Sequence, residues 1–186
     1  MIPIYEQGTG NGIGHGLGSF LDRFDSICAQ HLAAGRARAF AFIFYDFKDE
    51  HLRKVLKNQG VFAKLDRLSG ANLSIFYLHR GTRHAIKVFN DTFMNALGVE
   101  GQAFLPCVVF FRVREGQIED VEIAQLDNAD LIHGFGELFG SVEHYLSAQP
   151  RTAADSTGLK WIKSSSKFIG LELFRAALKK AFEFAF

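Results

Sequence analysis

Cysteine is nearly missing from this chain of 186 residues, which holds only Cys28 and Cys107. Two such distant thiols make neither a disulfide framework nor a zinc-ligand set. An excess of one charge is missing too, with 21 basic against 20 acidic residues. That balance excludes the basic field on which broad nucleic-acid binding depends. The longest apolar run, residues 39–45, falls far short of the roughly 20 residues that cross a bilayer as a helix. Residues 1–5 (Met-Ile-Pro-Ile-Tyr) lack the basic head and apolar stretch of an export signal. No internal repeat occurs. His15, His31, His51, His79, His84, His133 and His144 show no H-E-x-x-H or comparable ligand spacing. The expectation from these absences is a soluble, cytoplasmic protein with no metal and no cofactor.

Phenylalanine is plentiful, at 20 residues, and 48% of the chain is hydrophobic. This predicts one globular domain with a well-filled core, plus appendages. Glycine takes every second position from Gly8 to Gly18. Such a stretch either cradles an anion ahead of a helix N-terminus or serves as a flexible leader. The spacing fits neither G-x-G-x-x-G nor the P-loop, so residues 1–18 are expected to be a leader.

Ser19 and Asp22 stand in S-x-x-D spacing and predict a helix cap. Phe20, Phe24, Ile27, Cys28 and Leu32 then recur at helical intervals up to Gly35. Cys28 falls on that apolar stripe, where a buried, inert thiol is expected. Residues 39–47 read as a strand apolar on both faces, hence central in a sheet. Asp49 can cap a helix carrying Leu52, Val55 and Leu56, continued by Phe62 and Leu65 to Ser69-Gly70. Residues 73–78 are a second strand, and strand–helix–strand in this order predicts a parallel pair. A helix over 84–97 puts Ile86, Phe89, Phe93 and Leu97 on one face and stops at Gly98. Residues 107–113 form a strand, Glu115-Gly116 a hairpin turn, and Ile118, Val121 and Ile123 belong to its partner. A last core helix spans 128–146. Residues 148–158 read as a linker. Residues 159–186 are expected to hold an amphipathic helix, from Ser166 on, with Leu173, Phe174, Leu178 and Phe182 on its broad apolar face.

The order β-α-β-α-β-β-α with a helix before it, an α/β arrangement over residues 19–147, resembles the thioredoxin fold. In that family a cis-proline opens the first strand of the terminal hairpin. Leu105-Pro106-Cys107-Val108-Val109-Phe110-Phe111 stands in that position here. Thioredoxin-family oxidoreductases carry C-x-x-C after the first core strand, where a helix dipole favours the thiolate. The corresponding place, Phe47-Lys48-Asp49-Glu50-His51-Leu52, has no cysteine, serine or threonine. The resemblance therefore implies a redox-inactive member that acts as a protein-binding or scaffold module, with the groove at Leu105, Pro106 and Cys107 as one contact surface.

Each candidate residue has two readings. Cys107 is either the centre of a thiol-dependent or glutathione-using enzyme, or a small side chain packed at a strand start. Asp49 and His51, beside Asp46 and Glu50, serve either acid–base chemistry or helix capping. The C-terminal helix, with Phe174 and Phe182, packs on its own domain, docks on a protein partner or second copy, or lies on a membrane.

Overall fold

The computed structural model describes residues 5–6, 17–34, 39–46, 54, 59–70, 72–80, 89–99, 104, 106–126, 131–147, 160–164 and 169–183. The chain is an α/β protein built on a mixed seven-stranded sheet. Its strands are β1 (Tyr5–Glu6), β2 (Ala39–Asp46), β3 (Leu73–Arg80), β4 (Cys107–Arg114), β5 (Gln117–Gln125), β6 (Lys160–Lys163) and β7 (Ile169–Gly170). The helices are α1 (Leu17–Ala33), α2 (Gln59–Ser69), α3 (Leu131–Ser147) and α4 (Leu171–Glu183), with a π-helical turn at Phe89–Met94.

The strands lie in the order β1-β3-β2-β4-β5-β6, and β7 also pairs with β5. β2 is central, as its apolar sequence predicts, and Ala39, Phe40, Ala41, Phe42, Ile43, Phe44 and Tyr45 are all buried. It pairs in parallel with β3 and antiparallel with β4. Alternation then divides the side chains between two cores. Phe40, Phe42, Phe44, Val109 and Phe111 face α1, the π-helical turn and α4. Ala41, Ile43, Val108 and Phe110 face α2 and α3 through Val61, Leu65, Leu138, Val142 and Tyr145.

The β4–β5 hairpin turns on Glu115 (φ 51°) and Gly116 (φ 75°). Two positive φ values give the twist that suits a two-residue connection between strands. Further along, the register slips by one residue between Phe110 and Arg112. Asp120, at φ 53°, is the extra residue on β5. This bulge is why Ile118 and Val121, three apart, both reach the same core.

Several sequence expectations shift. Ser19 lies within α1, which begins at Leu17, so it is not the cap. The leader is not wholly separate from the fold, because Tyr5–Glu6 adds a parallel strand to β3. Of the helix expected over 84–97, residues 84–88 lie outside the described part. The rest is a π-helical turn followed by a short α-helical end that closes at Gly98 (φ 63°). The span 159–186 is not one helix. Residues 160–163 and 169–170 are strands on opposite ends of β5, where Trp161, Ile162 and Ile169 suit a pleated, half-buried surface. The helix proper starts at Leu171. Most of the expected linker, with Asn128 and the even-spaced glycines 8–16, lies outside the described residues.

Candidate functional site

The edge of the sheet at Pro106 is built by the ends of three strands. Cys107 opens β4, opposite Phe44 on β2 and Gln125 on β5. The β4–β5 ladder runs one step further, with the Leu126 N–H donating to the Pro106 carbonyl at 3.0 Å. Proline has no N–H to return, so the ladder stops there. The Gln125 side chain takes over: its Oε1 accepts from the Phe104 N–H at 2.8 Å. Phe104 is thereby tied to the sheet while its side chain stays 58% exposed.

The same glutamine carries an unsatisfied group. Its Nε2 is buried and has no hydrogen-bond partner. A buried donor left unmade costs about 1–3 kcal/mol. Pro106 beside it is buried. The edge therefore combines an anchored aromatic side chain with an enclosed donor.

Cys107 itself is 0% exposed. Burial alone pushes its thiol far above the ordinary cysteine range. Chemistry at sulfur needs the thiolate and access to it, and this position supplies neither. Cys28, in the same core, is also raised, first by burial and then by the Asp25 carboxylate. Asp49, His51 and Leu105 lie outside the described residues, as do Phe47, Lys48, Glu50 and Leu52. Asp46 ends β2, in register with Arg80 of β3.

The C-terminal candidates divide. Phe174 is 0% exposed, with ring centroids 4.9 Å from Phe111, 5.4 Å from Phe93, 5.9 Å from Phe42 and 6.0 Å from Phe24. It is a core residue of this chain and offers nothing to a partner, which corrects its reading as a contact residue. Arg175, next in α4, forms an ion pair with Asp25 of α1 and another at 3.1 Å with Glu172. Phe182 lies in α4, and its side chain is outside the described residues.

Two features escaped sequence reasoning. One is the Gln125 amide, since a glutamine at a strand end carries no distinguishing pattern. The other is an aromatic stack under the second core. The Phe110 ring lies 4.6 Å from Tyr145 and 6.0 Å from Trp161, both stacked. The Arg112 guanidinium stands 5.7 Å from the centre of the Tyr145 ring. The Tyr145 hydroxyl is buried with no hydrogen-bond partner, and burial raises its phenol well above the ordinary range.

Among the described residues, no three His, Cys, Asp or Glu side chains gather as a metal site. None of the described helices is long and apolar enough to cross a membrane. No family model, curated protein or solved structure matches the chain.

Proposed function

We propose that this is a thioredoxin-like protein without redox chemistry, which works by binding a protein partner at its Pro106 edge. The fold part of the reading is supported by the order of elements. Parallel β2 and β3 are joined through α2, the antiparallel hairpin β4–β5 follows Pro106, and α3 closes the unit. The absence of C-x-x-C in the sequence supports the second part. The single observation that carries the functional reading is the burial of Cys107 beside an anchored, exposed Phe104. An enzyme centred on Cys107 needs a reachable thiolate. A binding edge needs a rigid apolar side chain at low entropic cost, and aromatic anchors of this kind dominate interfaces.

The test has two arms. Alkylation of the folded protein is followed against pH, with Cys107→Ser and Cys28→Ser as controls. Both thiols are expected to react only as fast as the protein unfolds; rapid labelling of Cys107 in the native state overturns the redox-inactive reading. In the second arm, a displayed random-peptide library is panned on the wild type and on Phe104→Asp. Enrichment is expected on the wild type alone. Equal enrichment on both, or none on either, removes the Pro106 edge as the contact surface.

A further inference from the structure

The strand path ends at β6, and among the described residues no strand lies beyond it. The register of β6 on β5 fixes which backbone groups face outward. Ser164 donates its N–H to the Val121 carbonyl at 3.1 Å, directly opposite in the antiparallel register. Ser164–Val121 is therefore a hydrogen-bonded pair. Such pairs alternate along an antiparallel ladder, so Ile162 and Lys160 also turn their amides towards β5. Trp161 and Lys163 turn theirs to the outer edge.

The side chains of this edge carry a charge pattern. β6 reads Lys160-Trp161-Ile162-Lys163, a cation at each end of an apolar pair. Trp161 and Ile162 are only partly buried, one against each core. Lysines on an edge strand ordinarily discourage pairing. Here they discourage one class of pairing and favour another. A second copy of β6 laid antiparallel would put Lys160 against Lys163 at both ends, and like charges directly opposite are destabilising. A strand with acidic ends would neutralise both.

We infer that the outer edge of β6 accepts an added strand from an extended partner segment of the form acidic–apolar–apolar–acidic. Its main chain pairs with the outward groups at Trp161 and Lys163, and its carboxylates meet Lys160 and Lys163. This surface is separate from the Pro106 edge, and neither the thiol measurement nor the Phe104 measurement reports on it.

The experiment uses the full chain and two peptides, acetyl-Ser-Glu-Val-Val-Glu-Ser-amide and its lysine counterpart with both Glu replaced by Lys. Binding is read from the fluorescence of Trp161, the protein's one tryptophan, and confirmed by calorimetry. The acidic peptide is expected to bind at least about tenfold tighter than the basic one, with the gap narrowing at high salt. Lys163→Pro removes an N–H that β5 does not use, and proline is tolerated on sheet edges. It is expected to lower acidic-peptide affinity about tenfold while the circular dichroism and Tm stay near wild type. Lys160→Glu, which stands opposite the neutral Gln125, is expected to invert the peptide preference and keeps the test decisive if Lys163→Pro fails to fold. No binding of the acidic peptide, equal binding of both peptides, or a preference that ignores Lys160→Glu overturns the proposal. A concentration-dependent dimer in sedimentation that Lys163→Pro abolishes also overturns it, in favour of self-pairing.

Discussion

The ring of Phe174, on the C-terminal helix, lies 4.9 Å from the ring of Phe111 in β4. The helix is thus part of the core and closes the sheet face that α1 and the π-helical turn leave open. Phe24 of α1 completes the same cluster, at 6.0 Å from Phe174 and 6.2 Å from Phe111.

Truncating Phe174 opens a cavity in the middle of this cluster. Phe174→Ala is expected to cost about 3–5 kcal/mol of folding stability, the range for a buried phenylalanine. Phe174→Leu, which keeps most of the volume, costs clearly less. Urea unfolding monitored by Trp161 fluorescence measures both. Leu173, its exposed neighbour at 59%, is the control: Leu173→Ala changes stability by less than about 0.5 kcal/mol. Equal effects at the two positions would refute the packing of α4 on its own sheet.

Stability against alkali follows from three buried acids. Cys28, Cys107 and Tyr145 all have their proton affinities raised, chiefly by burial. The folded state holds these protons more tightly than the unfolded state does. Each contribution is therefore fully present below the unfolded-chain pKa, about 8.5 for cysteine and 10 for tyrosine, and is lost as pH rises past it. The slope approaches about 1.4 kcal/mol per pH unit for each group. The urea midpoint is expected to hold steady near neutrality and fall steeply above about pH 9. In Cys107→Ala the fall is shallower, even though the variant is less stable at neutral pH. An unchanged slope would mean that the thiol titrates in the native state.

The Tyr145 hydroxyl has no hydrogen-bond partner, while its ring stacks on Phe110. Tyr145→Phe removes the stranded hydroxyl and keeps the stack. It is expected to leave stability unchanged or raise it by up to about 1 kcal/mol, because removing an unmade buried polar group relieves its desolvation cost. Tyr145→Ala loses the ring and costs about 3–5 kcal/mol, as other buried aromatic truncations do. Thermal unfolding of the two variants separates the contributions. A Tyr145→Phe loss above about 1 kcal/mol would show that the hydroxyl is satisfied in solution.

The sheet was legible where residue type repeats with a fixed period. The apolar run at 39–45 marked the central strand, the Glu115-Gly116 pair marked the hairpin, and Phe24, Ile27 and Cys28 marked the inner face of α1. The bulge at Asp120 left a trace, in that Ile118 and Val121 stand three apart where a strand alternates by two. The C-terminal strands were hidden because Lys160–Lys163 is too short to establish a period. Its strand identity comes from the free edge of β5, which no local pattern reveals. The candidate site was legible only in part for the same reason. Pro106 and Cys107 announce themselves, whereas the tie between Phe104 and Gln125 spans 21 residues of sequence and arises from tertiary contact.

Glycines in α3 and in the hairpin should respond in opposite directions to one substitution. Gly136 and Gly140 lie inside α3, and a Cβ added to either meets no atom within 4 Å. Neither needs a left-handed backbone, and each loosens the helix by the conformational freedom it gives the unfolded chain. Gly136→Ala and Gly140→Ala are each expected to stabilise by about 0.5–1 kcal/mol. Gly116 has equal room, with nothing within 4 Å of its added Cβ, but sits at φ +75°. Alanine there strains the backbone, so Gly116→Ala should destabilise by about 1–2 kcal/mol. Space is the same at all three positions, so a difference in sign isolates the backbone term. Denaturant midpoints for the three single variants decide it. If Gly136→Ala and Gly140→Ala destabilise, the bare stripe on α3 is occupied in solution by chain or partner atoms that a methyl group would displace.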